Sequence, residues 1–154
     1  MARPRSRTPA AIWMMQPGFG ATTISAPVAA RWDGGYRTDV AVRQFRFVAD
    51  EPPSAGGADA GAMPTEYLLV ALSSCFAMAL GHVAHKRDLA LGPLTVTAVA
   101  TYAGPSFSEI ELRVEFDESP PAGIDDLVER ASRVCYVSNT LAHSPRVTVA
   151  VSPP

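Results

Sequence analysis

Two cysteines, Cys75 and Cys135, are the residues of this sequence whose type best suits covalent chemistry. Only a thiolate is a competent nucleophile, and mid-helix placement gives Cys75 no help from a helix N-terminus, so a nearby cation would have to lower its pKa. The alternative is that both are inert core residues, because cysteine is among the most frequently buried residue types. Their positions on the inward faces of the two main predicted helices favour a functional thiol pair.

The histidines could act as a base for Cys75 or as metal ligands, and their spacing argues against both roles. His82 follows Cys75 by seven residues and shares its helical face, but the two would lie ~10 Å apart along the axis, too far for a hydrogen bond. Together with His85, His143 and the two cysteines, it matches no recognised metal-ligand spacing. We therefore expect no Cys-His pair within this helix, no metal site and no bound cofactor.

The element that carries Cys75 is the longest apolar segment of the chain, residues 67–84. Pro64 suits a first helical turn, Glu66 lies where the helix dipole favours a negative charge, and basic residues end the segment. These signals predict a helix from Pro64 to Arg87 that is apolar on nearly every face and must be buried all round. One small sheet cannot cover it, so the pattern predicts a homodimer.

A membrane span is the rival interpretation of the same segment. About 18 apolar residues is the lower limit for crossing a bilayer. Ser73, Ser74, Gly81 and His82 would be costly facing lipid, and strand patterns flank the run on both sides. We therefore predict the core helix of a soluble domain, with no membrane association.

The remaining segments predict antiparallel strands and a second helix. Asp33-Gly34-Gly35 is typical of a hairpin turn, and residues 109–116 alternate strictly between charged and apolar side chains. The second helix begins at Ile124, ends near Tyr136–Asn139 and presents Cys135 on its apolar face. The predicted order is βββ, helix, ββ, helix, β, which gives an α+β fold. Strands are predicted over residues 22–32, 36–42, 43–48, 94–102, 109–116 and 146–151.

Length and charge limit the function classes. A chain of 154 residues with 47% hydrophobic content predicts one domain, residues 21–154, after a flexible extension of residues 1–20. The net charge of −2 and the absence of a basic stripe argue against nucleic-acid binding. Two distant cysteines without a recognisable signal peptide are typical of thiols in a reducing compartment, so we expect a cytoplasmic protein.

Two motifs carry a resemblance to a known family. The segment PTEYLLVALSSC, which ends at Cys75, and the segment VCYVSNTL, which contains Cys135, resemble the paired cysteine motifs of the OsmC/Ohr family. The WDGGYR segment and the Pro/Gly-rich loop before the helix fit as well. The resemblance covers residues 22–151 and implies an intertwined homodimer in which antiparallel sheets wrap two central helices.

The same resemblance implies a set of catalytic roles. Peroxidases of the family attack a hydroperoxide with the central-helix cysteine, here Cys75, and resolve the sulfenic acid with the second cysteine, here Cys135. An arginine of the N-terminal hairpin stabilises the thiolate, for which Arg37 is the first candidate and Arg31 the second. A glutamate near the start of the helix holds that arginine, which corresponds to Glu66.

The sequence departs from the peroxidase branch at two positions and is closer to the less characterised OsmC-like branch. Thr65 stands where that branch has the glutamate, and Tyr136 replaces a proline. Nine residues separate Glu66 from Cys75, about half a turn out of phase at ~100° per residue, so Glu66 as a first-turn dipole partner is an equal alternative.

Three functions follow from these observations. The first is a thiol-dependent reductase of organic hydroperoxides that uses Cys75, Cys135 and an external dithiol. The second is a non-catalytic dimer that binds a small hydrophobic ligand between its subunits. A structural or interaction protein is the third, because fold does not imply function.

Overall fold

The computed structural model describes residues 26–151 and has an α+β fold. Three strands precede a long helix, and a two-stranded hairpin and two further helices follow it. The predicted extension of residues 1–20 lies outside the described residues. The elements are β1 Val28–Trp32, β2 Thr38–Val42, β3 Phe45–Ala49, α1 Pro64–Lys86, β4 Leu94–Ala103, β5 Ser106–Phe116, α2 Ile124–Val134 and α3 Tyr136–Ala142.

The first three strands form an antiparallel meander, the N-terminal sheet, in the order β1-β2-β3. The hairpin between β1 and β2 turns at Gly34 and Gly35, whose φ angles of 122° and 66° suit a residue without Cβ. Ala30 pairs with Val40 and Val40 with Phe47, so these side chains share one apolar face of the sheet. The sequence predicted this meander correctly.

The N-terminal sheet meets the rest of the described chain mainly at Tyr67 of α1. Its hydroxyl donates a hydrogen bond to the Val48 carbonyl at 2.8 Å, and its ring meets Phe47 edge to face at 6.2 Å. Most of the apolar face is otherwise uncovered, with Val28 65% and Trp32 66% exposed.

A single carboxylate organises the loop between β3 and α1. Asp50 is almost fully buried and accepts hydrogen bonds from the backbone N–H groups of Glu51, Ala58 and Ala60 at 2.9–3.1 Å. The turn is tight at Gly57, where a Cβ would lie 1.9 Å from the Glu51 carbonyl oxygen. Only glycine fits there, so this Pro/Gly-rich stretch has one defined conformation that leads into α1.

The helix α1 is the centre of the second part of the chain, the C-terminal unit, formed by α1 to α3 with β4 and β5. It packs against α2, α3 and β4. Leu80 of α1, with Leu127 and Ala131 of α2, is fully buried in one hydrophobic cluster. The hairpin follows the predicted alternation, with Ile110, Leu112 and Val114 half-buried and the charged face of β5 exposed.

Among the described residues, α1 is the one helix long and apolar enough to cross a membrane by length and composition, with a mean hydropathy of 1.8 over 18 residues. The core helix of a soluble protein has the same signature. Six α1 residues are buried against the remainder of the chain, which agrees with the prediction of a core helix.

The structure differs from the sequence predictions at two places. The predicted second helix is interrupted, because Cys135 has an extended backbone with ψ 108° between α2 and α3. Residues 146–151 form no strand, since they have no neighbouring strand within the described chain, and Val149 is 90% exposed. The predicted all-round burial of α1 depends on a second subunit, and in the single chain Val70 and Met78 are 55% and 46% exposed.

Candidate functional site

The fold brings the two cysteines together, although they are far apart in sequence. Cys75 lies in the middle of α1, half-buried, and packs against the cluster that contains Cys135. Cys135 is fully buried at the junction of α2 and α3. The two thiols are free and adjacent, and because they are adjacent each shifts the pKa of the other. Placement on inward helix faces therefore correctly indicated a pair.

The break at Cys135 changes the surroundings of both sulfurs. Because a new helix begins at Tyr136, the unpaired backbone N–H groups of its first turn face the thiol pair. N–H groups of Tyr136 and Val137 favour the charged form of Cys75, and those of Val137 and Ser138 favour that of Cys135. These N–H groups belong to α3, whereas Cys75 lies in the middle of α1 as predicted, and their effect does not prevent a net rise in the pKa of Cys75.

The two thiols nevertheless differ in acidity. Burial raises the pKa of Cys75 above its ordinary value, and its neighbour Cys135 adds to the rise. Burial also acts to raise the pKa of Cys135, but hydrogen bonds from the Ser138 hydroxyl, the N–H groups of α3 and the Cys75 thiol outweigh it, so this pKa is lowered. The pKa shifts of the two thiols therefore have opposite directions.

Ser138 contacts the thiol pair, and the sequence alone did not predict this contact. Its hydroxyl donates to the Cys135 sulfur at 3.1 Å, and its side chain is half-buried beside the pair. Ser138 stands three residues after Cys135, so the first turn of α3 brings its hydroxyl back to the sulfur. No local sequence signal marks this contact, because it depends on the break between α2 and α3.

The predicted arginines lie in the N-terminal sheet and its hairpin, not at the thiols. Arg37 forms an ion pair with Asp39 at 2.8 Å, and Arg31 pairs with Asp33 at 2.9 Å. Neither is among the groups that shift the pKa of Cys75 or Cys135. Asp39 raises the pKa of Arg37, and the more distant Asp50 acts in the same direction.

Glu66 lies at the start of α1 and accepts a hydrogen bond from the Met63 backbone N–H at 2.8 Å. This contact satisfies a donor that precedes the first turn, and the carboxylate also complements the helix dipole. The position agrees with the alternative role of a first-turn partner. No ion pair joins Glu66 to an arginine among the described residues.

A groove and the acidic, histidine and cysteine side chains are the other places in residues 26–151 where a ligand or a metal could bind. An open groove of about 490 Å³ lies on the N-terminal sheet, lined by residues that include Arg31, Asp39 and Arg46, and neither cysteine borders it. Within the same range, no cluster of three or more His, Cys, Asp or Glu side chains could hold a metal ion. The thiol pair remains the candidate site.

Comparison with known proteins identifies the fold. The chain is similar to an OsmC-like protein from Mycoplasma pneumoniae, with 18% identity, a TM-score of 0.69, and coverage of 80% of this chain and 91% of that one. It is similar to an organic hydroperoxide resistance protein from Elizabethkingia anophelis, crystallised with thiocyanate bound, with 28% identity, a TM-score of 0.64, and coverage of 80% and 91%.

A third similar structure is an organic hydroperoxide resistance protein from Vibrio cholerae with captopril bound in one of its active sites. It has 20% identity, a TM-score of 0.63, and coverage of 82% of this chain and 90% of that one. No curated protein matches the sequence. The family model of OsmC-like proteins matches residues 56–150, a range that includes both cysteines and more than half of the chain. The chain therefore belongs to the OsmC-like protein family.

Proposed function

We propose that the protein is a thiol-dependent peroxidase that reduces organic hydroperoxides through Cys75 and Cys135. The observation that carries the proposal is the side-by-side position of two free thiols of unequal exposure at the start of α3. Its family and its likeness to organic hydroperoxide resistance proteins support the choice of substrate class.

The proposed reaction uses the two thiols in sequence. The Cys75 thiolate attacks the terminal oxygen of the hydroperoxide, the O–O bond breaks, and the alkoxide takes a proton to leave as an alcohol. The Cys135 thiolate then attacks the sulfur of the Cys75 sulfenic acid, and hydroxide leaves as water when it is protonated. An external dithiol reduces the resulting disulfide and is itself oxidised to a disulfide.

Attack by Cys75 requires a cation, and no charged side chain among residues 26–151 lowers the pKa of this thiol. Burial raises the pKa of Cys75, and an arginine nearby would lower it by favouring the charged form. We propose that dimer formation brings Arg37 to Cys75. The uncovered apolar face of the N-terminal sheet and the exposed Val70 and Met78 of α1 support a second copy as its partner.

A non-catalytic dimer that binds a small hydrophobic ligand is the second candidate function. The raised pKa of Cys75 favours it, because a protonated, half-buried thiol is a poor nucleophile. Exposed apolar side chains on α1, including Leu68 and Met78, would supply an apolar wall for such a ligand.

Titration of free thiols separates the two functions. The reduced protein is mixed with one equivalent of cumene hydroperoxide, and free thiols are counted before and after the reaction. The peroxidase proposal expects both thiols to disappear and to return with dithiothreitol. Cys75→Ser should abolish hydroperoxide consumption, and Cys135→Ser should allow one turnover followed by over-oxidation of Cys75 to the sulfinic acid.

The contrary result is equally plain. Two free thiols after exposure to the hydroperoxide, with no alcohol product, would refute the peroxidase and leave ligand binding as the better proposal.

A cytoplasmic location is part of the peroxidase proposal, because a reducing compartment keeps the dithiol reductant available.

A further inference from the structure

The thiol pair is asymmetric in access. Cys135 is 0% exposed, whereas Cys75 is only partly buried. A dithiol from solution attacks a disulfide along the S–S axis and must reach the sulfur that it attacks. Access therefore favours attack on the Cys75 sulfur, with Cys135 as the sulfur that leaves.

The pair is also asymmetric in what stabilises a negative charge. The Ser138 hydroxyl donates to the Cys135 sulfur at 3.1 Å. In contrast, none of the side-chain hydrogen bonds within residues 26–151 gives Cys75 a hydroxyl donor. A thiol that is stabilised as its thiolate leaves faster in thiol–disulfide exchange. The lowered pKa of Cys135 agrees with this difference.

We propose that Ser138 is a positioning residue that, together with the burial of Cys135, fixes the direction of disulfide reduction. The external dithiol attacks the Cys75 sulfur, and Cys135 leaves as a thiolate that accepts the Ser138 hydrogen bond. This inference rests on the proposed function, because the disulfide that the dithiol reduces is the one formed in the proposed peroxidase cycle. It concerns which sulfur is attacked, a choice that the peroxidase proposal leaves open.

The dithiol reduces the Cys75–Cys135 disulfide in two exchange reactions. A reductant thiolate forms a bond with the Cys75 sulfur, the S–S bond breaks, and its electron pair stays on Cys135. The second thiol of the reductant then loses its proton, attacks the reductant sulfur of the mixed disulfide, and releases Cys75 as a thiolate. Both cysteines are reduced, and the dithiol becomes a cyclic disulfide.

The same hydrogen bond serves the preceding step. A larger thiolate fraction on Cys135 speeds its attack on the Cys75 sulfenic acid, which limits the time during which a second hydroperoxide can oxidise Cys75 further. Ser138 thus acts on the resolving thiol alone and does not assist the first attack on the hydroperoxide.

The first test identifies the sulfur that is attacked. The disulfide is formed with diamide, a two-electron thiol oxidant, so that no reaction with hydroperoxide is needed. The oxidised protein is treated with the monothiol glutathione, quenched with acid and mapped by mass spectrometry. We expect glutathione on Cys75 and a free Cys135. Glutathione on Cys135, or failure of diamide to join the two cysteines, would overturn the proposal.

The second test measures the contribution of Ser138. We expect Ser138→Ala to slow the reduction of the diamide-formed disulfide by dithiothreitol by about tenfold, the factor that corresponds to one hydrogen bond to a charged group. Ser138→Thr keeps the hydroxyl and should restore most of the rate. Ser132→Ala is the matched control, because the Ser132 hydroxyl bonds to Val128 within α2 and is exposed.

A pH titration excludes a merely structural effect of the substitution. In a Cys75→Ser background, the ultraviolet absorbance of the thiolate reports the titration of Cys135. Adding Ser138→Ala should raise the pKa of Cys135, whereas adding Ser132→Ala should leave it unchanged. An unchanged pKa and reduction rate in Ser138→Ala would refute the role of Ser138, while the loss of hydroperoxide reactivity alone would refute only the peroxidase.

Discussion

The N-terminal sheet and the C-terminal unit differ in what covers their apolar side chains. In the C-terminal unit, Leu80 and Leu127 are 0% exposed, because α1, α2 and the β4–β5 hairpin enclose them. In the N-terminal sheet, Val28, Trp32 and Phe45 are 65%, 66% and 44% exposed. The C-terminal unit therefore encloses a core of its own, although Val70 and Met78 of α1 stay exposed, whereas most of the apolar face of the N-terminal sheet is uncovered.

This difference separates the two requirements of the proposed chemistry. The pairing of Cys75 with Cys135 depends only on the C-terminal unit, where both are held by one core. The proposed supply of a cation involves Arg37, which lies in the hairpin between β1 and β2 of the uncovered N-terminal sheet. The thiol pair should thus survive changes that abolish dimer formation, whereas hydroperoxide attack should not.

The largest effect is expected from a charge in the core of the C-terminal unit. Leu80→Asp removes a fully buried side chain and leaves an unpaired carboxylate there. Loss of the leucine alone costs about 2–5 kcal/mol, a large share of the stability of a typical domain. We expect no folded protein by circular dichroism. Thr97→Asp, on the exposed face of β4 and opposite Arg113, is the control and should fold.

A change on the apolar face of the N-terminal sheet tests the other half of the comparison. Val28→Asp should convert a dimer into a monomer in sedimentation while the helical circular dichroism persists, because Val28 is exposed in the single chain. Ala29→Asp, one residue on and on the opposite face of β1, is the matched control and should stay dimeric. A wild-type protein that is monomeric at micromolar concentration would refute the dimer itself.

The sequence predicted those features whose signals are local. The ends of α1, the hairpin at Gly34-Gly35 and the alternation of β5 all arise from neighbouring residues, and each is present. The break at Cys135 could not be predicted, because Cys135 continues the apolar face of α2 and no glycine or proline marks the interruption.

The residues of the candidate site also fall into those that local sequence signals predict and those that depend on the tertiary structure. The two cysteines could be found from residue type and helical face alone. The role of Ser138 depends on the break between α2 and α3, so it became visible only with the structure. The predicted strand over residues 146–151 needs a neighbour that the described chain does not provide.

A smaller effect, dependent on pH, is expected where the N-terminal sheet passes into α1. Backbone N–H groups of Ala60, Glu51 and Ala58, with a contribution from Arg37, lower the pKa of Asp50. The unfolded chain therefore binds a proton more readily than the folded one, and stability is lost as the pH falls below the ordinary value of 3.8 toward the lowered pKa.

Thermal melts between neutral and acidic pH check this expectation. Asp50→Asn should lower the melting temperature at neutral pH, where the carboxylate is charged, and should flatten its dependence on pH. Asp59→Asn, in the same loop but exposed, is the control and should keep the wild-type profile. Parallel profiles for wild type and Asp50→Asn would show that Asp50 does not link folding to pH.

The smallest effect is expected at Glu66, where it decides between two roles for one carboxylate. Because Glu66 accepts the Met63 N–H, Glu66→Gln keeps a hydrogen-bond acceptor and loses only the charge that complements the dipole of α1. We expect a loss of less than about 1 kcal/mol in the free energy of unfolding and an unchanged rate of hydroperoxide consumption. Glu66→Ala removes the acceptor too and should cost slightly more stability, again without a change in rate.

If dimer formation instead places Glu66 against Arg37, as the family resemblance implies, Glu66→Gln would slow hydroperoxide consumption strongly at nearly constant stability. Measuring the rate and the melting temperature on the same two variants therefore separates a helix cap from a residue that holds the catalytic arginine.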